Sequence, residues 1–314
     1  MDGKVNESYI TLEGHVELHT YRYLYFAVML MAYVCIIICN LTIVYLIWMH
    51  RNLHEPMYIF IAALLLNSVV FSTNIYPKLL SDFLSEKQII SYSACYLQFF
   101  LFYSLSGSEF LLLAAMAYDR YVSICKPLQY ATIMGRTTVC IFLSLAWLVP
   151  ACVTGVQVIL SSDMKLCKMN LNGILCNNLI YNMYCVSSKV HIVFGALSVA
   201  ITAFFSLLFI VFSYTRILII SFQSSKEVRK KATQTCSPHL LVLINFSCLC
   251  AFDVIIVRLG SNITKLVRLV MTLQTVLYHP LFNPIIYGLK MKEISKQLRR
   301  LFYRDKAIVV RLKH

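Results

Sequence analysis

Seven stretches of nearly uninterrupted apolar sequence, each about as long as a helix must be to cross a bilayer, dominate this 314-residue chain. They cover 25–48, 57–77, 92–118, 137–160, 190–215, 236–257 and 269–289. Five contain no Asp, Glu, Lys or Arg; the third holds Glu109 and the sixth Asp253. Lipid offers the backbone no hydrogen bonds, so such segments read as helices, and they lack the roughly ten-residue alternation of a barrel strand. Composition points the same way. With 59% hydrophobic and only 13% charged residues, the chain is too apolar for a water-soluble globule and for disorder. The expectation is an all-α membrane protein, a seven-transmembrane helix bundle. Residues 1–23 are polar and contain no apolar core of a cleavable leader, so the first run is expected to anchor the chain itself.

Basic residues orient the bundle. With the amino terminus outside, the inner segments 49–56, 119–136, 216–235 and 290–314 hold 18 Lys and Arg against five acids, and the outer segments hold 10 against seven. The expected organisation is an extracellular tail over 1–24, a membrane domain over 25–289 and an inner tail over 290–314. The excess positive charge lies beside inner helix ends, where anionic lipid is its partner rather than nucleic acid. Beyond the last span, Ile294, Leu298, Leu301 and Phe302 fall on one face among Lys and Arg, which predicts an amphipathic helix on the inner membrane surface.

Four of the 12 cysteines are expected at the outer face: Cys95, Cys167, Cys176 and Cys185. An even number in an oxidising compartment suggests two bridges, and three pairings are open. Sequons begin at Asn6, Asn40, Asn245 and Asn262, of which Asn6, on the outer tail, is the glycan candidate.

Four ordered motifs carry a resemblance. Met116-Ala-Tyr-Asp119-Arg120-Tyr121-Val-Ser-Ile-Cys125-Lys-Pro-Leu-Gln-Tyr130 closes span three. Pro56-Met57-Tyr58 opens span two, Lys231-Ala-Thr-Gln-Thr-Cys236-Ser-Pro-His239-Leu240 opens span six, and Asn283-Pro284-Ile-Ile-Tyr287 closes span seven. Together they resemble the vertebrate odorant receptors, a branch of the rhodopsin-like G-protein-coupled receptors, and the Pro-Met-Tyr-Ile-Phe wording is fish-like. The resemblance implies bridges Cys95–Cys176 and Cys167–Cys185 and identifies Asn40 with the polar residue of span one. It implies that Asp119, Arg120 and Tyr121 couple to the G protein, with Arg120 paired to Asp119 at rest. Tyr214 and Tyr287 resemble the tyrosines that swing inward on activation, near Asn283 and the helix-kinking Pro284.

An acid inside a membrane is a functional candidate by default, and the resemblance implies that Glu109 forms an ion-binding pair with an Asp of span two. The matching residue here is Ser68, after Asn67, so one carboxylate is missing and Glu109 stands as an ion or proton site. A copper pattern proposed for the family, His-X-X-Cys then an acid, corresponds to Gly173-Ile-Leu-Cys176-Asn177, so no metal site is expected.

The odorant pocket is expected between spans three, five and six. Phe99, Phe102, Tyr103 and Ser106 share a face of span three, Ser198 and Thr202 one of span five, and Cys250 and Val254 one of span six. Arg258 ends span six on the outer side, where its planar fork suits a carboxylate ligand; snorkelling to headgroups or pairing with Asp253 is the plainer role. The expected function is a receptor, not an enzyme and without a cofactor. It binds an odorant, with a carboxylic acid as the candidate class, and signals through a stimulatory G protein and cyclic AMP. It is placed in the plasma membrane, in sensory cilia. A seven-span transporter or channel, or a non-olfactory rhodopsin-like receptor, is the alternative.

Overall fold

The computed structural model describes residues 9–16, 18–162, 164–185, 193–195, 197–198, 200–223, 236–248, 250–251 and 264–311. A strand β1 (Tyr9–Leu12) precedes helices α1 (Leu18–Met49) and α2 (Pro56–Leu84). Next come β2 (Ile89–Ser91), α3 (Tyr92–Cys125), α4 (Arg136–Ser162) and β3 (Asn170–Leu171). A π-helical turn Ala200–Phe204 leads into α5 (Phe205–Phe222). The described part of the sixth helix is α6 (Cys236–Cys248), followed by α7 (Lys265–Lys290) and α8 (Lys292–Arg311). The architecture is a seven-helix membrane bundle with α8 at its end.

Local interactions mark several helix ends. The second helix continues through Lys78 and Asp82 because these lie one turn apart and pair with each other, which cancels the charge of both. The start of α3 is fixed by Ser91, whose side chain accepts a bond from the Ala94 N–H, and that of α7 by Thr264, which accepts from Val267. Outward-facing positions remain apolar. On α1, Met31, Ile38 and Trp48 are exposed, as lipid-facing residues are.

Inside the bundle, amide side chains bond backbone carbonyls of neighbouring helices. Pro284 has no N–H to give the carbonyl of Pro280, one turn earlier, and Asn40 of α1 donates its amide to that carbonyl at 3.0 Å. The same amide also bonds Ile36 at 2.8 Å. Asn67 holds three helices together: it donates to the Leu105 carbonyl at 3.0 Å and accepts from the Trp147 indole at 3.3 Å.

The polar leader departs from expectation. Tyr9–Leu12 is the middle strand of a three-stranded sheet, antiparallel to β2 with Ile10 opposite Ile90, and parallel to β3 with Leu12 opposite Leu171. Ile10 and Leu12 point into a cluster with Cys95, Phe99 and Cys176, while Tyr9 and Thr11 face outward. The bulk of the fold is helical, yet this sheet caps one end of it, here termed the capped end; the end bearing α8 is the basic end. Backbones touch at Gly14 and Gly173, where a β-carbon on Gly14 would lie 2.4 Å from the Gly173 carbonyl carbon.

The last helix also differs. It runs beyond Phe302 to Arg311, and Met291 breaks it from α7 with an extended backbone. Ile294 is fully buried and Leu298 packs toward Gly288, so the start of its apolar face lies on the bundle rather than facing lipid alone. The side chain of Phe302 is outside the described residues.

The cap contains a titratable group. His15 stands edge-on to Phe83 with ring centroids 5.9 Å apart. Burial lowers its pKa to about 4 from 6.5; the Leu12 backbone opposes this and the Lys78 charge adds to it. Between those values the unfolded chain binds the proton that the folded one refuses, so stability is lost as pH falls from about 6.5 towards 4. Replacing His15 by Phe is expected to flatten that part of the melting-temperature profile of the purified protein; an unchanged acid slope would contradict the assignment.

Candidate functional site

Three polar constellations lie along α3. At its basic end Asp119 is fully buried and Arg120 nearly so. Both Nε and Nη2 of Arg120 donate to Asp119 Oδ2, the first at 2.9 Å. The other oxygen, Oδ1, accepts the hydroxyl of Tyr130 at 2.8 Å, from the short turn that follows α3. Burial, and then the facing Asp119 carboxylate, push the Tyr130 phenol above its ordinary range, which keeps it a donor. Tyr121 points elsewhere, towards Tyr118. Tyr214 of α5 and Tyr287 of α7 are buried in the same cluster of side chains that packs around α3. His239 of α6 faces Tyr287, with Nδ1 3.5 Å from its hydroxyl.

Near the middle of α3 lies a second constellation. The Glu109 carboxylate contacts Nε2 of His279 through Oε2, and Oε1 accepts from Asn283 Nδ2 at 3.2 Å. Asn283 also donates to Ser68 at 3.2 Å. Sequence reasoning placed Glu109, Ser68 and Asn283 but missed His279, a histidine in an apolar helix with nothing local to mark it.

The third constellation is at the capped end. Cys95 is bonded to Cys176, and Cys167 to Cys185. The first bridge fastens the start of α3 to the segment after β3; the second joins Cys167, before β3, to Cys185, after it, and so closes the loop that carries β3. Gln98 of α3 reinforces the first by accepting the Cys176 N–H at 2.8 Å. The expected pocket residues on α3 lie directly beneath. Phe99 packs on Tyr103 and, edge-on, on Tyr181 of the loop, with centroids 4.7 and 6.0 Å apart. Phe102 meets Tyr103 and Phe71 of α2. The Tyr103 hydroxyl accepts from the Asn178 N–H at 2.9 Å. These three aromatics therefore form one layer under the loop.

Ser106 lies a turn deeper and returns its hydroxyl to the Phe102 carbonyl at 2.7 Å; Thr202 does the same to Ser198 at 2.8 Å. Thr202 sits across from Gly107, where an added β-carbon would come within 3.5 Å of its methyl and 2.8 Å of Pro150. Cys250 is half-buried against the bundle core. Asn6, Asp253, Val254, Arg258 and Asn262 lie outside the described residues. Arg268, which sequence reasoning passed over, is buried at the start of α7 and donates to the Asn172 carbonyl at 2.8 Å, tying α7 to the loop. Among the described residues no group of His, Cys, Asp and Glu forms a metal cage.

Among the described residues, these three constellations pair no nucleophile with an activating base. The arrangement has a capped end with an aromatic layer under a disulfide-tied loop and a basic end where an arginine is held by an internal acid. Comparison with known proteins agrees. The family model described as "Olfactory receptor" matches residues 28–305. Human olfactory receptor 11A1 is 35% identical over 297 residues, covering 92% of this chain and 92% of its own length. Human olfactory receptor 11H1 is 34% identical over 301 residues, covering 95% and 91%, and human olfactory receptor 6K3 is 32% identical over 314 residues, covering 96% and 92%.

Because Tyr130 supplies the hydrogen bond drawn to Asp119 Oδ1, Tyr130→Phe is expected to destabilise the purified protein by about 1–3 kcal/mol. Tyr121→Phe should leave the melting temperature unchanged. Equal effects of the two substitutions would contradict this reading of the basic end.

Proposed function

The chain belongs to the olfactory receptor family of G-protein-coupled receptors, which are multi-pass plasma-membrane proteins and not enzymes, and on that premise we propose that it binds a small odorant beneath its cap and activates a stimulatory heterotrimeric G protein at its basic end, raising cyclic AMP. The observation that carries the reading is the buried Asp119–Arg120 pair at one end of α3, while the other end of the same helix lies under a disulfide-tied loop. A rigid helix that meets the ligand at one end and holds the coupling arginine at the other can link the two sites. Ligand binding then shifts a population: an odorant that fits the arrangement with a freed Arg120 moves the equilibrium by its difference in affinity and no more.

Orientation follows from the same features. Two disulfides belong to an oxidising exterior and the Lys- and Arg-rich segments to the cytoplasm, so the capped end faces outward. On this reading Asn6, outside the described residues, is the proposed glycan acceptor, and the proposed location in an olfactory cell is the sensory cilium. Phe99, Phe102 and Tyr103 supply an apolar aromatic layer, Ser106, Ser198, Thr202 and Cys250 are the proposed ligand contacts deeper in the bundle, and Val254, outside the described residues, is a candidate from sequence alone. A carboxylic-acid ligand is the narrower proposal and rests on Arg258, whose charge would hold the carboxylate.

The test is cyclic AMP in cells expressing the receptor, challenged with matched carboxylic and neutral odorants, with Arg258→Ala at equal surface expression. A response to acids that falls at least about tenfold in potency in the variant, the loss of one charged pair, supports the full proposal. A response to neutral odorants that survives the substitution removes the carboxylate role. Substrate flux without G protein would favour a transporter instead.

A further inference from the structure

The family resemblance implies a cation at Glu109, and the residues around it do not fit one. A sodium ion needs several oxygen ligands turned towards it. Here both carboxylate oxygens face nitrogen: Oε2 meets His279 Nε2, and Oε1 accepts from Asn283 Nδ2 at 3.2 Å. Asn283 directs the same amide at Ser68, whose hydroxyl accepts at 3.2 Å and bonds back to the Leu64 carbonyl at 3.2 Å. The surroundings of the carboxylate are thus built from donors, and span two offers a hydroxyl where a second acid would stand.

Charge balance points to the same partner. Glu109 is 2% exposed and His279 also 2%. A lone carboxylate in that position would cost several times more than one unsatisfied N–H, so the contact with a basic side chain outweighs Nδ1 of His279 being left without a partner. The imidazole is clamped in place, with the ring of Phe246 of α6 over it at 4.5 Å between centroids. Its neighbour Pro280 starts the proline-interrupted stretch of α7 that Asn40 props from the other side.

We propose that His279 is the resident counter-charge of Glu109, so that a proton shared between α3 and α7 takes the place of a sodium ion and the core of this receptor does not bind sodium. The contact couples the centre of α3 to α7 across 170 residues of sequence. It does not depend on the identity of the odorant or of the G protein.

The experiment is thermal unfolding of the purified full-length receptor in sodium chloride and in choline chloride at matched ionic strength. Wild type is expected to melt at the same temperature in both salts. A saturable rise of a few degrees in sodium, the shift that a resident ion in large excess over its dissociation constant produces, overturns the proposal. Glu109→Gln, His279→Gln and the double variant provide a second reading in choline chloride. Removing one member strands the other in the core, so the double variant is expected to melt no lower than the worse single. Losses that simply add overturn the pair. Should a variant fail to fold, the wild-type salt comparison decides alone.

Discussion

Two buried carboxylates on one helix have to be compensated inside the protein, because neither lipid nor a dry helix interface can solvate them. Glu109 and Asp119 lie ten residues apart on α3, and the surrounding structure answers each with its own donors. Asp119 takes the guanidinium of the next residue and the phenol of Tyr130. Glu109 takes an imidazole and an amide from α7. The third helix is thereby fastened at its basic end to the following turn and at its middle to α7. The disulfide at Cys95 fastens its capped end to the loop.

This fastening gives signalling its structural form. A helix held at three levels cannot shift at one without straining the others, and polar contacts of this kind have discrete alternatives rather than a continuum. At the basic end the proposed alternative to the Asp119 contact is an Arg120 free to meet another surface. The hydrogen bonds there are few, so breaking them is within the reach of binding energies. At the middle, α7 is interrupted by proline, and Asn40 of α1 bonds the Pro280 carbonyl that Pro284 leaves open. Such a segment rearranges at lower cost than an uninterrupted helix.

How much of this was legible in the sequence depended on the distance over which each feature is determined. The spans were legible because a bilayer demands long apolar runs, and that demand is local. Helix ends were less so: α2 continues past its run only because Lys78 and Asp82 neutralise each other one turn apart. The Asp119–Arg120 pair was legible because the two residues are adjacent. Strand β1 was not read, although Ile10 and Leu12 alternate with outward residues. A four-residue alternation is a weak signal when its partners lie at Ile89–Ser91 and Asn170–Leu171. His279 went unread for the same reason, since only the packing of α7 against α3 brings it to Glu109. Tyr130 sat inside the quoted motif, yet its bond to Asp119 requires the chain to turn back after Cys125.

The central claim is that α3 joins a ligand-binding cap to a surface that activates a G protein through Arg120. The most direct test is nucleotide exchange on a purified stimulatory G protein by the receptor in lipid nanodiscs, screened with odorants and repeated with Arg120→Ala. The account predicts odorant-dependent exchange by wild type and exchange no faster than that of the G protein alone by a folded Arg120→Ala receptor. Undiminished odorant-dependent exchange in that variant would contradict it.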